Sequence, residues 1–102
     1  MWPRRAFIVH PLDNVATVLE EVQADDDVAG TIGNKTIALR AGEKISFGFK
    51  IALAEIPKGE VIRKYGKPIG RAAVTISKGM MVHLHNLEGI RGRGDLARRE
   101  AQ

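Results

Sequence analysis

The amino-acid sequence predicts a small, mostly β domain built from short strands, with one short helix near its N-terminus. Two observations predict the strands. Short runs of apolar and β-branched residues follow one another from residue 36 onward, separated by glycine or by Asn-Lys. Between these runs, an apolar residue recurs three positions before and three positions after a turn residue. A third observation, the spacing of apolar residues after Asp13-Asn14, predicts the helix.

The N-terminal part of the chain is expected to form a strand and then this helix. Phe7-Ile8-Val9 is a short β-prone run that ends at His10-Pro11. Asp13 and Asn14 are both good N-cap residues. The apolar residues that follow have the helical spacing i, i+3, i+4, i+7, and they are Val15, Val18, Leu19 and Val22. We therefore expect about two turns of amphipathic helix here.

The rest of the chain is expected to reverse direction repeatedly. Four segments share the apolar-flanked turn pattern: Leu39–Ile45 around Gly42, Ile56–Ile62 around Gly59, Ile76–Val82 around Gly79 and, more loosely, Val22–Val28 around Asp25. A turn residue with positive φ is favourable for glycine and better tolerated by aspartate than by most residues. Several such reversals predict a body of short hairpins and exclude a layout of alternating strands and helices.

Length and composition indicate one globular domain. The chain has 102 residues, of which 44% are hydrophobic and 27% charged. It contains no cysteine, which excludes disulfide frameworks, thiolate metal sites and cysteine nucleophiles. The longest apolar run is far below the ~20 residues of a membrane helix, and the run after Arg5 is too short for the core of a signal peptide. A cytoplasmic location is therefore expected.

The formal charge of +4 is unevenly distributed along the sequence. Residues 20–27 contain five acidic residues and no basic one, whereas residues 58–78 contain six basic residues and one acidic residue. A concentrated positive field favours an anionic partner. One Trp, one Tyr and three Phe leave little capacity for base stacking, so nucleic acid is a weak candidate. The alternative is a basic surface that only contacts solvent.

His83-Leu84-His85-Asn86 is a candidate site for metal or proton chemistry. On a strand, residues two apart point to the same face, so His83 and His85 could chelate one metal ion, or one imidazole could bind metal while the other moves a proton. Asn86 could orient them by hydrogen bonding. Two ligands do not make a complete site, and the alternative is an exposed histidine pair without metal.

Two cationic segments are candidate anion sites. Lys50 follows a glycine and opens an apolar run, from which its ammonium could meet a carboxylate. Lys64 and Tyr65 lie beside a Gly/Pro turn, where a phenol and ammonium groups could bind an oxyanion or a sugar hydroxyl. The alternatives are a solvated lysine and an ordinary hairpin turn.

Four blocks of the sequence, taken in order, resemble a known family. They are His10–Ala16, Gly48–Leu53, Ile62–Gly70 and Gly79–Asn86. Together they resemble the SAF-type N-terminal domain of the altronate and galactarate dehydratases, over about residues 7–96. The resemblance implies a β-clip fold of short strands and long hairpins. We expect that domain over residues 1–96 and a frayed or disordered tail over residues 97–102.

The resemblance also implies an activity. Members of that dehydratase family catalyse β-elimination on sugar acids. The C2 proton is removed, and water leaves from C3 to give a 2-keto-3-deoxy acid. It implies a divalent metal ion, Fe²⁺ or Mn²⁺. The long enzymes fuse this module to a much larger catalytic domain, so a chain of 102 residues resembles a free-standing small subunit. The implied partners are a large catalytic subunit, which holds most of the metal site, and an anionic sugar-acid substrate.

The resemblance assigns roles to eight residues. Lys50, His83 and His85 are implied to be catalytic, with His83 and His85 also as metal ligands. The residues implied to bind substrate are Asp13, Asn14, Lys64, Tyr65 and Asn86.

One residue departs from the family pattern, and other identities stay open. The family often has Gly-His-Lys where this chain has Gly48-Phe49-Lys50, which implies a changed substrate or a weakened site. The small subunit of a (2R)-sulfolactate sulfo-lyase-like enzyme is the nearest alternative identity, with sulfite as leaving group. An anion- or sugar-acid-binding module without a catalytic partner is the next. Neither a nucleic-acid nor a membrane partner is expected, and a homo-oligomer is left open.

Overall fold

The computed structural model describes residues 2–89, which form nine strands in two sheets. In chain order the strands are β1 (Arg4–Phe7), β2 (Val15–Val18), β3 (Asp27–Ile32), β4 (Lys35–Arg40), β5 (Lys50–Ala52), β6 (Val61–Lys64), β7 (Lys67–Ala72), β8 (Met81–Val82) and β9 (Leu87–Glu88). The mostly β class predicted from the sequence is confirmed. The described residues contain no helix.

The larger sheet has six strands in the order β4-β3-β1-β2-β5-β8, and the smaller has three in the order β6-β7-β9. Every pairing is antiparallel except that of β1 with β3. β8 and β9 are consecutive strands in different sheets, so the segment 83–86 crosses from one sheet to the other.

Two hydrophobic cores lie on opposite faces of the larger sheet, because its central strands bury both of their faces. In β2, Val15 belongs to one core and Ala16 to the other. The first core consists of Ala6, Ile8, Ala16, Val18, Val22, Val28, Leu39, Ala41, Ile45, Ile51 and Leu53. The second core lies between the two sheets and consists of Val15, Ala52, Ile56, Ile62, Ala72, Ile76 and Val82.

The predicted N-terminal helix is wrong, because Val15–Val18 is a strand at the centre of the larger sheet. A strand with both faces buried shows a nearly continuous apolar run and loses the period-two alternation that identifies a strand. Leu19, which the helical pattern needs as a core residue, is 40% exposed. The β-branched residues of this segment fit a strand better than a helix.

The predicted chain reversals are confirmed at three turn residues and wrong at one. Asp25 has φ 71°, and Gly59 and Gly79 both have φ 88°. Gly42 does not have a positive φ. Gly48 has φ 88°, and it follows the buried Ile45 by three positions, as Asp25 follows Val22. A Cβ atom at Gly42 would lie 2.5 Å from the Sδ of Met80, so this flexible side chain would have to shift.

The four reversals at Asp25, Gly48, Gly59 and Gly79 form two pairs. Val22 bridges Ile45, and Ile56 bridges Ile76, each by two backbone hydrogen bonds of 2.8–2.9 Å. The aliphatic residue that opens each reversal is buried in one of the two cores. The predicted tail over residues 97–102 lies outside the described residues. Within residues 2–89, nothing has the helical length and hydropathy that crossing a membrane requires.

Candidate functional site

Lys50 projects into the space between the two sheets. It is the first residue of β5, where Ile51 packs in the first core and Ala52 in the second. Because side chains alternate along a strand, Lys50 lies on the same face as Ala52. Its side chain is half-buried. Removal of the ammonium from water lowers the pKa of Lys50, and the nearby charge of Lys64 lowers it further.

Lys64 approaches Lys50 from the smaller sheet. It is the last residue of β6, and the two-residue turn Tyr65-Gly66 joins it to Lys67. Tyr65 and Gly66 have φ values of 60° and 71°, which define a type I′ turn. The Nζ atom of Lys64 lies 5.0 Å from the centre of the Tyr65 ring, a cation–π distance. Within residues 2–89, neither Lys50 nor Lys64 has a carboxylate at ion-pair distance.

Asp13 holds this turn against the larger sheet. Its carboxylate accepts hydrogen bonds from the backbone N–H groups of Gly66 (2.7 Å) and Tyr65 (3.1 Å). It also accepts one from the N–H of His10 (3.1 Å). The side chain of Asp13 is 9% exposed. Both carboxylate oxygens are therefore committed to backbone groups, which stabilise an unfavourable positive φ at Tyr65.

Asn14 joins the two sheets. Its amide nitrogen donates to the carbonyl of Val61 (2.9 Å), and its amide oxygen accepts from the N–H of Arg63 (2.8 Å). The pairing of β6 with β7 shifts register between Ile62 and Arg63. Asn14 thus satisfies the backbone groups on either side of this irregularity, and it fixes β6, which carries Lys64, relative to β2.

The two candidate histidines are not on a strand. β8 ends at Val82, and residues 83–86 form a bend and turn. The expectation that strand geometry places His83 and His85 on one face is therefore wrong. His83 is half-buried and stacks on Phe49, with ring centroids 4.4 Å apart. His85 is exposed.

The side chains of His83 and Lys50 lie on opposite faces of the larger sheet. Phe49 and Met81 pack against the first core, so the His83 ring lies on the first-core side of the larger sheet. Lys50 points to the other side, although it pairs with Val82, the residue before His83. Phe49 occupies the position where the family named above often has histidine. In this chain the Phe49 ring stacks on His83.

Asn86 fixes the conformation of the 83–86 turn. Its side-chain oxygen accepts from the N–H of His83 (2.9 Å), and its side-chain nitrogen donates to the carbonyl of Met81 (2.8 Å). It is 6% exposed. Its polar atoms are committed to backbone groups, as those of Asp13 and Asn14 are.

The described residues do not fit a metal site held by this chain alone. Residues 2–89 contain no cluster of three or more His, Asp or Glu side chains that could hold an ion. His83 is stacked on Phe49, and His85 is exposed on the turn. A metal ion could use at most part of its ligand set from here.

The structure thus brings together Lys50, Lys64 and the Tyr65 turn, and holds them with Asp13 and Asn14. The His83 ring lies on the opposite face of the larger sheet from Lys50. Sequence reasoning missed Thr17, which pairs with Lys50 across β2 and β5. Its hydroxyl oxygen is buried and has no hydrogen-bond partner within residues 2–89. The sequence does not indicate that the hydroxyl of a threonine inside an apolar run will be buried without a hydrogen-bond partner.

Known proteins match this chain over most of its length. It is 41% identical over 78 residues to an altronate dehydratase from Escherichia coli strain K12, an alignment that covers 76% of this chain and 15% of that protein. It is 35% identical over 83 residues to an altronate dehydratase from Bacillus subtilis strain 168, covering 80% of this chain and 16% of that protein. The chain therefore spans less than one fifth of the length of these two relatives.

A third relative has a similar length. The chain is 30% identical over 86 residues to a protein named (2R)-sulfolactate sulfo-lyase subunit alpha from Chromohalobacter salexigens, covering 80% of this chain and 92% of that protein. Residues 4–89, which include all nine strands, match the family described as the altronate/galactarate dehydratase SAF domain. This match and these identities agree with the four sequence blocks, and the chain belongs to the altronate/galactarate dehydratase SAF domain family.

Proposed function

We propose that this chain is the small subunit of a sugar-acid dehydratase, a hydro-lyase, and that it contributes side chains to an active site shared with a separate, larger catalytic chain. Members of the family it belongs to are named as dehydratases or as a lyase subunit. The observation that carries the proposal is the half-buried Lys50, close to Lys64 and without a carboxylate partner in residues 2–89.

This cationic pair suits the chemistry of elimination next to a carboxylate. Removal of the C2 proton gives an enediolate, which carries additional negative charge, and preorganised cations lower the energy of that intermediate. The leaving oxygen at C3 departs as water after it is protonated. Lys50 and Lys64 bind and stabilise the anion in this proposal. His85 is the more accessible imidazole for acid or base work, and His83 supports the turn that presents it.

The larger chain supplies the remaining groups. A small domain of short strands offers little room to enclose a sugar acid and exclude water by itself. The main base and the divalent metal ion, Fe²⁺ or Mn²⁺, belong in this proposal to the partner. Asp13, Asn14 and Asn86 act by positioning Lys64 and the histidine turn. The two sheets and the paired reversals are compatible with the β-clip fold that the resemblance implies, and the proposed location is the cytoplasm.

Reconstitution tests the proposal. The full chain is purified with and without the proteins that co-purify with it, and its oligomeric state is measured in both preparations. Formation of a 2-keto-3-deoxy acid from altronate and galactarate is then assayed, with and without a chelator. We expect activity only in the combined preparation, and loss of activity on chelation. Turnover at a normal rate by the isolated chain would contradict the shared site.

A sulfo-lyase is the second candidate function, and one observation favours it. The matched segment covers 92% of the sulfo-lyase subunit alpha but only 15–16% of the two altronate dehydratases. The same reconstituted preparation should therefore be given sulfolactate, with sulfite release as the measurement. Sulfite release without dehydration of either sugar acid would replace the first candidate with the second. Binding of a sugar acid without any activity would support an isolated binding module.

A further inference from the structure

Thr17 and Lys50 lie in one row across the larger sheet. The register places Phe7 opposite Thr17, Thr17 opposite Lys50, and Lys50 opposite Val82. Side chains directly opposite each other in a sheet have Cβ atoms about 4.5–5.5 Å apart. The Thr17 hydroxyl and the base of the Lys50 side chain are thus neighbours on the face that meets the smaller sheet.

The buried hydroxyl of Thr17 is energetically anomalous. Its oxygen is inaccessible to solvent and lacks a partner within residues 2–89. A buried polar group without a hydrogen bond is costly, and such groups are rare in folded proteins. Valine at this position would have the same shape without that cost, as Val15 and Val18 show on the same strand.

The like charges of Lys50, which pairs with Thr17, and of Lys64 make a second anomaly. Burial and the repulsion between Lys50 and Lys64 both act against the charged form of Lys50. Asn14 and Asp13 nevertheless hold β6 and its turn, and with them Lys64, against the sheet that carries Lys50. This arrangement of like charges is unfavourable until an anion binds there.

We propose that Thr17, Lys50 and Lys64 form a receptor for one oxyanion group, a carboxylate or a sulfonate. The two ammonium groups and the hydroxyl can all donate hydrogen bonds, and a bound oxyanion accepts from each of them. One anion relieves both anomalies, because it reduces the repulsion between the lysines and gives the hydroxyl an acceptor. A neutral ligand would leave the repulsion in place, and a cation would increase it.

This inference rests on the proposed function only for its conclusion that the anion is the substrate's acidic group. Thr17 then acts as a binding residue that fixes which end of the substrate enters the shared site. The receptor can be tested on the full isolated chain, without a partner and without turnover, so its failure is separate from the failure of the lyase proposal.

The experiment is an NMR titration of the full chain at constant ionic strength and pH. Acetate and methanesulfonate are the probes, and they distinguish a carboxylate from a sulfonate preference. We expect saturable shifts at the amides of Thr17 and Lys50 and at the side chain of Lys50, and a rise in the pKa of Lys50 when the anion is bound. Shifts that stay linear with probe concentration, or that spread over all basic residues, would overturn the receptor.

Three variants identify the contributing groups. Thr17→Val keeps the shape and removes the hydroxyl, and we expect it to weaken anion binding roughly tenfold while the protein becomes no less stable. Lys50→Met is expected to abolish saturation. Lys58→Met, which removes an exposed lysine from another turn, is the matched control and should leave binding unchanged. If Thr17→Val binds both probes as well as the wild type does, Thr17 has no part in the receptor.

Discussion

At the residue scale, the side-chain polar atoms of Asp13, Asn14 and Asn86 bond to backbone groups. Asp13 and Asn86 are nearly inaccessible to solvent, and with Asn14 they use their side-chain oxygens to accept backbone N–H groups. Buried polar groups are satisfied in this way in most folded proteins. These side chains therefore hold the loops around them, and their substrate-binding role stays a prediction.

Asp13→Asn tests the holding role of the carboxylate. An amide nitrogen would replace one of two oxygens that together accept three backbone N–H groups, so a donor would face a donor. We expect a loss of about 2 kcal/mol in the free energy of unfolding, measured by urea denaturation. The control is Asp27→Asn, which affects only an exposed pair with Arg40 (3.6 Å) and should cost less than about 0.5 kcal/mol. Equal stability of Asp13→Asn and wild type would leave Asp13 available for substrate.

Lys50 gives a pH-dependent contribution to stability. Its pKa in the folded protein lies below the ordinary value of 10.5, so the folded state disfavours the charged form. Below the folded pKa, both states carry the charge and the full penalty applies. As pH rises from the folded pKa toward 10.5, the folded state loses its proton first and the penalty disappears.

The difference between the free energies of unfolding of wild type and Lys50→Met should therefore shift in favour of wild type across that pH window. Urea denaturation at several pH values measures it. Lys58→Met, which alters an exposed lysine, should give a difference that does not change with pH. A pH-independent difference for Lys50→Met would show that the Lys50 ammonium is not destabilised in the folded protein.

At the element scale, local patterns predicted the reversals better than the strands between them. Asp25, Gly59 and Gly79 could be identified because a positive φ restricts the residue type at a single position. The nature of Val15–Val18 could not, because the two-sided burial of β2 depends on neighbours that come later in the chain. The site followed the same rule: Lys50 and Lys64 are visible as charges, whereas Thr17 gains its significance only from the pairing of β2 with β5.

Gly66, in the turn between β6 and β7, can be compared with Gly33, in the turn between β3 and β4. Gly33 and Gly66 both have positive φ, but a Cβ atom at Gly33 would meet open space, whereas one at Gly66 would lie 2.8 Å from the Cγ of His10. Gly33→Ala should cost about 1 kcal/mol from backbone strain alone. Gly66→Ala should cost roughly twice as much, since the His10 ring must also move away from the N–H of Leu12, its partner at 3.1 Å.

Thermal or urea unfolding of the two variants provides the measurement. Equal costs at Gly33 and Gly66 would mean that the His10 ring moves without losing favourable contacts. The His10 ring would then not contribute to the position of the turn, and the support for Lys64 would rest on Asp13 and Asn14.

At the scale of the whole molecule, the site depends on how the two sheets are joined. The second core lies between them, and Asn14 adds two hydrogen bonds from the start of β2 to the backbone of β6. Because β9 has only two residues, the smaller sheet is close to an isolated hairpin, which is marginally stable at best. The separation of Lys50 from Lys64 is thus a property of the assembled domain and of neither sheet alone.

Asn14→Ala should weaken this junction specifically. It leaves the N–H of Arg63 and the carbonyl of Val61 without their partners, and we expect a loss of about 2 kcal/mol. Amide hydrogen exchange should show the largest loss of protection in β6 and β7, while β3 and β4 lose only what the lower global stability explains. Desolvation, the larger cause of the lowered pKa of Lys50, would remain, but the pKa should rise in part because Lys64 then moves more freely relative to Lys50. Asn34→Ala, in the exposed turn between β3 and β4, should change neither measurement. A uniform loss of protection in Asn14→Ala, with the pKa of Lys50 unchanged, would mean that the second core alone fixes the two sheets and that Asn14 does not position the lysines.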